Sequence, residues 1–134
     1  MAKKAKRGMV VLLLDSNTII YLSKGIVDID DILLENESYA ISVVTYMEVL
    51  GYHFKSSQEE LIMRDLLSLF DIIYIDNTIS EMVIKIRKNN KIKLPDAIIC
   101  ATAIVNNLIL FSSDIRLKVI KDLQLNLIGV YLGE

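Results

Sequence analysis

The sequence holds one cysteine, one histidine and one proline in 134 residues. A lone Cys100 can form no internal disulfide, which suits a reducing compartment. Set in an apolar stretch, it reads as a small core residue rather than a nucleophile. The lone His53 has no cysteine or second histidine to share a zinc ion, so an ordinary zinc site would need several carboxylates. No run approaches the roughly 20 apolar residues that cross a bilayer, so the chain is expected to have no membrane segment. Nor is a secretory signal expected. Lys3, Lys4, Lys6 and Arg7 imitate its basic start, but the apolar run behind them is short and ends in Asp15 without a small-residue cleavage site. A cytoplasmic protein is the expectation. There is no internal repeat, low-complexity tract or linker.

Hydrophobic residues make up 53% of the chain, with a mean hydropathy of +0.44. That is high for one domain of this length. Buried parallel strands would take much of the surplus, and a surface for a protein partner the rest. The formal charge is -2. Four of the 15 basic residues lie in the first seven positions, so residues 8–134 carry a net charge of -6. An acidic body does not simply coat nucleic acid. It can still bring a divalent cation to a phosphate. Residues 1–8 read as a basic, disordered tail, and 9–134 as a single domain.

Met9 to Leu14 is an unbroken apolar run, as in a strand buried on both faces, and it stops at Asp15. The pattern predicts strands at 10–14, 39–41, 72–75, 108–111 and 126–130. It predicts helices at 16–23, 28–35, 57–70, 78–89 and 95–107, one from Ser42 to about 54, and a short one at 114–122. Ser42 is the expected cap of its helix. Thr78 and Glu81 fit a capping box, and Pro95 the first position of its helix. Helix 95–107 is apolar on nearly every face, hence buried. Strands alternating with helices give an α/β fold with a parallel sheet between two helical layers.

Four acids stand out on these elements, three of them at element ends. Asp15 closes the first strand, where open α/β sheets place ligands, although a helix cap explains it equally well. Glu48 lies mid-helix between Met47 and Val49; it is either exposed or held by a cation. Gly51, a costly residue inside a helix, suggests a close approach there. Asp96 opens the buried helix, toward the interior or a cleft. Asp114 follows the fourth strand, and Ser112 and Ser113 could cap the next helix and leave it free. Asp76 also ends a strand, but reads as a cap; Asp28, Asp30 and Asp31 read as a solvated run. Several carboxylates together select hard ions such as Mg²⁺ or Mn²⁺. Without one they repel, and some protonate. Lys85 to Lys93 carries five basic residues and no acid. It is either a solvated helix end or a strip, with Arg87, Lys88, Lys91 and Lys93, that contacts phosphates.

Leu14 to Asn17, Ser42 to Glu48, Leu94 to Ala101 and Phe111 to Asp114 resemble, in order, the acidic stations of PIN domains, above all the VapC-like toxins of prokaryotic toxin–antitoxin pairs. The resemblance covers residues 9 to about 131. It implies a three-layer α/β/α PIN-like fold with a mostly parallel five-stranded sheet, and a Mg²⁺- or Mn²⁺-dependent endoribonuclease leaving a 5′-phosphate and a 3′-hydroxyl. Asp15 and Asp96 would be the principal metal ligands and Glu48 and Asp114 would complete the catalytic set. Asn17, Ser112 and Ser113 would orient ligands. The implied partners are RNA (tRNA, rRNA or mRNA), a small antitoxin and a second copy in a homodimer. Arg116 and Leu117 stand where the family often has an acid or an aromatic, and Ser112 where it often has Thr. Two rivals are a catalytically inactive PIN-like module that binds RNA or protein, and a receiver-like domain. The second lacks the Lys that should end a late strand.

Overall fold

The computed structural model describes residues 11–28 and 38–129. The basic tail, the expected helix from residue 29 onward and the end of the last expected strand lie outside the described residues.

Strands β1 (Val11–Leu14), β2 (Ser38–Ser42), β3 (Asp71–Ile73), β4 (Ile109–Ser112) and β5 (Gln124–Leu127) form one sheet in the order β3-β2-β1-β4-β5. Every described pairing is parallel, with Leu12 opposite Tyr39 on one side and Ile109 on the other. The helices are α1 (Ser16–Ser23), α2 (Val43–Leu50), α3 (Ser57–Leu67), α4 (Asn77–Asn89) and α5 (Leu94–Val105), with a 3₁₀ turn at Ile115–Val119. The expected α/β architecture is the observed one.

Successive side chains of a strand face opposite ways, so each strand feeds two cores. Leu13, Ala40 and Leu110 join α4, α5 and the 3₁₀ turn in one core. Leu12, Leu14, Tyr39, Ile41 and Phe111 join Ile19, Val49, Met63 and Leu67 from α1, α2 and α3 in the other. Three layers result, and burying each such leucine contributes about 1.5–3 kcal/mol. Helix α5 is buried at Ala97, Ile99, Cys100, Ala101, Thr102 and Ala103, which explains its apolar surface.

Several boundaries differ from the sequence reading, each for a local reason. β3 ends at Ile73 because its partner β2 ends at Ser42, whose side chain turns to cap α2. α2 stops at Leu50, and Gly51 is its C-terminal cap. A Cβ at Gly51 would meet the Met47 carbonyl oxygen at 2.8 Å, so the helix itself, and no ligand, demands the glycine. Asp76, not Thr78, caps α4, accepting from the Ile79 N–H at 2.8 Å. Pro95 is the second residue of α5, after Leu94. β5 begins two residues early, at Gln124, and its register against β4 runs from Ile109–Gln124 to Ser112–Leu127.

The strand order reverses between β1 and β4: β2 and β3 extend to one side, β5 to the other. In open α/β sheets such a reversal opens a crevice at the carboxyl ends of the strands. Asp15 follows β1 and Asp114 follows β4, so both lie on that crevice.

Candidate metal centre

Asp15 is the N-cap of α1 and nearly buried, at 9% exposure. Its Oδ1 accepts from the Thr18 N–H at 2.9 Å and the Thr18 hydroxyl at 2.6 Å. Its own N–H donates to the Phe111 carbonyl at 3.3 Å, fastening the end of β1 to β4. Among the described residues no donor reaches Oδ2. The cap therefore uses one oxygen and leaves the other for a ligand.

Asp96 sits in the first turn of α5, half-buried, with no side-chain hydrogen bond among the described residues. Burial pushes its carboxyl above the usual aspartate range, and the charges of Asp114, Glu48 and Asp15 push it further, against a smaller opposing pull from Arg116. Asp96 thus feels the charges of the other three acids, Asp114 most and Asp15 least.

Glu48 is exposed on α2, but its Oε1 accepts from the Ser16 hydroxyl at 2.6 Å. Thr45 Oγ1, fully buried, lies 3.2 Å from the same Ser16 oxygen. Ser16 thereby pins Glu48 toward the start of α1.

Asp114 is not left free by its serines. It caps the 3₁₀ turn, accepting from the Arg116 N–H at 3.0 Å. The Arg116 guanidinium also grips it as a fork, Nε to Oδ1 at 2.9 Å and Nη2 to Oδ2 at 2.8 Å. That fork holds the Asp114 carboxyl below its ordinary range. The buried Ser112 hydroxyl instead accepts from the Asp114 N–H at 3.0 Å. Ser113 is half-buried and Asn17 exposed; neither side chain makes a hydrogen bond among the described residues.

A cleft of ≈ 460 Å³ opens beside this cluster. Asp96, Asp114 and Arg116 line it, together with Arg87 near the end of α4, Lys91 and Lys93 of the α4–α5 connection, and apolar Ile92 and Leu117. Lys88, expected on the same strip, does not line it. An acidic floor beside a basic bank is the charge arrangement a phosphodiester with a cation would need.

Ser16, Thr18, Thr45 and Arg116 contact the candidate acids or one another, and the sequence pattern did not single them out as site residues. Ser16 and Glu48 are 32 residues apart, and no local pattern links them. Arg116 lies two residues from Asp114, so its reach was legible in principle.

The donor chemistry fits a hard divalent cation: one free oxygen on Asp15, an unpaired Asp96, and two further carboxylates nearby. Among the described residues no three carboxyl, imidazole or thiol groups stand close enough together to hold a metal ion as arranged. Glu48 and Asp114 are each turned toward another side chain.

The PIN domain family model matches residues 12–123. The chain belongs to the PIN domain family. Among solved structures this PIN domain is similar to VapBC2 from Rickettsia felis bound to a promoter DNA fragment (TM-score 0.80, 22% identity, covering 90% of this chain and 100% of that one). It is similar to a toxin–antitoxin complex from Klebsiella pneumoniae (TM-score 0.67, 34% identity, 84% and 94% covered). It is also similar to VapBC-1 from nontypeable Haemophilus influenzae (TM-score 0.73, 25% identity, 88% and 98% covered). No curated protein matches the chain by sequence. No helix among the described residues is long and apolar enough to cross a membrane.

Proposed function

We propose that this PIN domain is a toxin-type endoribonuclease that hydrolyses RNA phosphodiesters with Mg²⁺ or Mn²⁺ and is neutralised by a small antitoxin. The observation that carries the reading is Asp15 at the crevice where the strand order reverses: Thr18 engages only its Oδ1, and among the described residues no donor reaches Oδ2. Family membership and the likeness to toxin–antitoxin complexes support the partner. Asp15 and Asp96 would hold the cation, and Glu48 and Asp114 would complete the set of carboxylates around it. When bound, the cation acidifies water and offsets charge on the scissile phosphate. Thr18 fixes the Asp15 carboxylate through Oδ1, and Ser16 sets the direction of Glu48. Arg87, Lys91 and Lys93 draw the RNA backbone into the cleft. The exposed apolar residues Met47, Tyr52, Leu61 and Ile62 are available for the antitoxin or a second copy. The buried, unoxidised Cys100, its thiol pushed up to about 12 by burial first and then by Asp96, Asp15 and Asp114, is consistent with a cytoplasmic protein.

The test is RNA cleavage by antitoxin-free protein, with and without Mg²⁺ or Mn²⁺, in wild type, Asp15→Asn and Asp96→Asn. Cleavage that survives a chelator or either substitution sinks the reading. A second reading, an inactive PIN-like binding module, is favoured by one observation: the Arg116 fork engages both oxygens of Asp114. RNA binding without cleavage under every metal condition would establish it.

A further inference from the structure

Arg116 stands apart among the cations of the cleft. Its side chain is 81% exposed, yet among the described residues its guanidinium bonds only to Asp114, through both carboxylate oxygens. A planar guanidinium matches a carboxylate in this two-point way, and it matches a phosphate equally well. A flexible, solvent-exposed arm gains little from either grip, so it can exchange between them. The carboxylate it occupies lines the same cleft as Asp96, Arg87, Lys91 and Lys93.

We propose that Arg116 is a positioning residue that competes with the divalent cation for Asp114. The guanidinium neutralises Asp114 while the acidic cluster is empty. With a cation bound, Asp114 would leave the fork, and the Arg116 arm, already on the cleft, would be free to meet an RNA phosphate. Lys at this position keeps the charge but loses the two-point grip. The inference rests on the acidic cluster being a cation site.

Mn²⁺ affinity, measured by calorimetry on the full chain without antitoxin or RNA, tests it. Arg116→Ala frees both oxygens of Asp114 and is expected to bind Mn²⁺ about fivefold more tightly than wild type. Arg116→Lys is expected to fall between the two. A merely structural role for Arg116 predicts the opposite sign, because loosening the 3₁₀ turn would weaken the site. Unchanged or weaker Mn²⁺ binding in Arg116→Ala, with binding abolished in Asp96→Asn, overturns the competition and leaves the cation site standing. Equal Mn²⁺ binding by wild type and Asp96→Asn removes the cation site itself, and the competition with it.

Discussion

Asp15 and Asp76 do the same local job in different places. Each follows a strand, each caps a helix, and each accepts from the amide three residues on, at 2.9 and 2.8 Å. Asp15 stands at the end of the central strand β1, next to β4, and is nearly buried. Asp76 follows the edge strand β3 and is exposed. Capping and ligation are therefore not alternatives. A cap needs one carboxylate oxygen, and the place of the strand in the sheet decides whether the second oxygen meets other acids or water.

The comparison breaks first on activity. Asp15→Asn is expected to lower Mn²⁺-dependent RNA cleavage at least about a hundredfold, since even outer-shell changes around metals cost 10–100-fold. Asp76→Asn should leave the initial rate unchanged. Equal losses at both positions would mean that the caps, not the cluster, matter.

Stability sharpens it next. Asp76→Ala should lose about 1 kcal/mol in denaturant unfolding through the missing cap. Asp15→Asn keeps an oxygen for the Thr18 amide and removes a charge from the cluster. In metal-free buffer it should be at least as stable as wild type. A loss at Asp15→Asn equal to that at Asp76→Ala would reduce Asp15 to a cap.

The pH dependence of Asp96 is a smaller effect with a definite sign. Its carboxyl is raised in the folded chain, so the folded form holds the proton more firmly than the unfolded one. The stability this supplies is present below the ordinary aspartate range and is lost as pH rises through the raised value. Without metal, Asp96→Asn should melt above wild type at neutral pH, and the gap should close on acidification. A gap that widens in acid reverses the assignment.

The smallest effect separates neighbouring cations. Replacing Arg87, Lys91 and Lys93 by Ala should flatten the salt dependence of RNA binding by roughly 0.7 in slope per lost phosphate contact. Lys88→Ala, one residue from Arg87 but off the cleft, should not change the slope.

The order of strands and helices was legible because parallel strands buried on both faces write themselves as apolar runs, and α5 as an apolar helix. The five strands, and the places of Asp15, Asp96 and Asp114 at element ends, followed from that. Less legible were the ends of elements fixed by a neighbour: β3 stops where β2 turns into α2, and Gly51 answers to Met47. Company across the fold was not legible at all. Nothing in the sequence joins Ser16 to Glu48, or shows that Lys88 faces away from the cleft while Lys91 faces it. The Arg116 fork was within local reach, but a departure from the family pattern does not itself say which atoms meet.

The pairing of β1 with β4 also sets a clock. Thr18 and the carbonyl of Phe111, which meet beside Asp15, are 93 residues apart in the chain. A ribosome adding about 5–20 residues per second separates their emergence by roughly 5–20 s. Throughout that interval β1 lacks its β4 edge and Asp15 lacks Asp114, while Asp96 itself is made only near its close. A nascent chain cannot assemble its acidic cluster before nearly all of it has been made. A cell producing this protein gains that delay for a partner to arrive first.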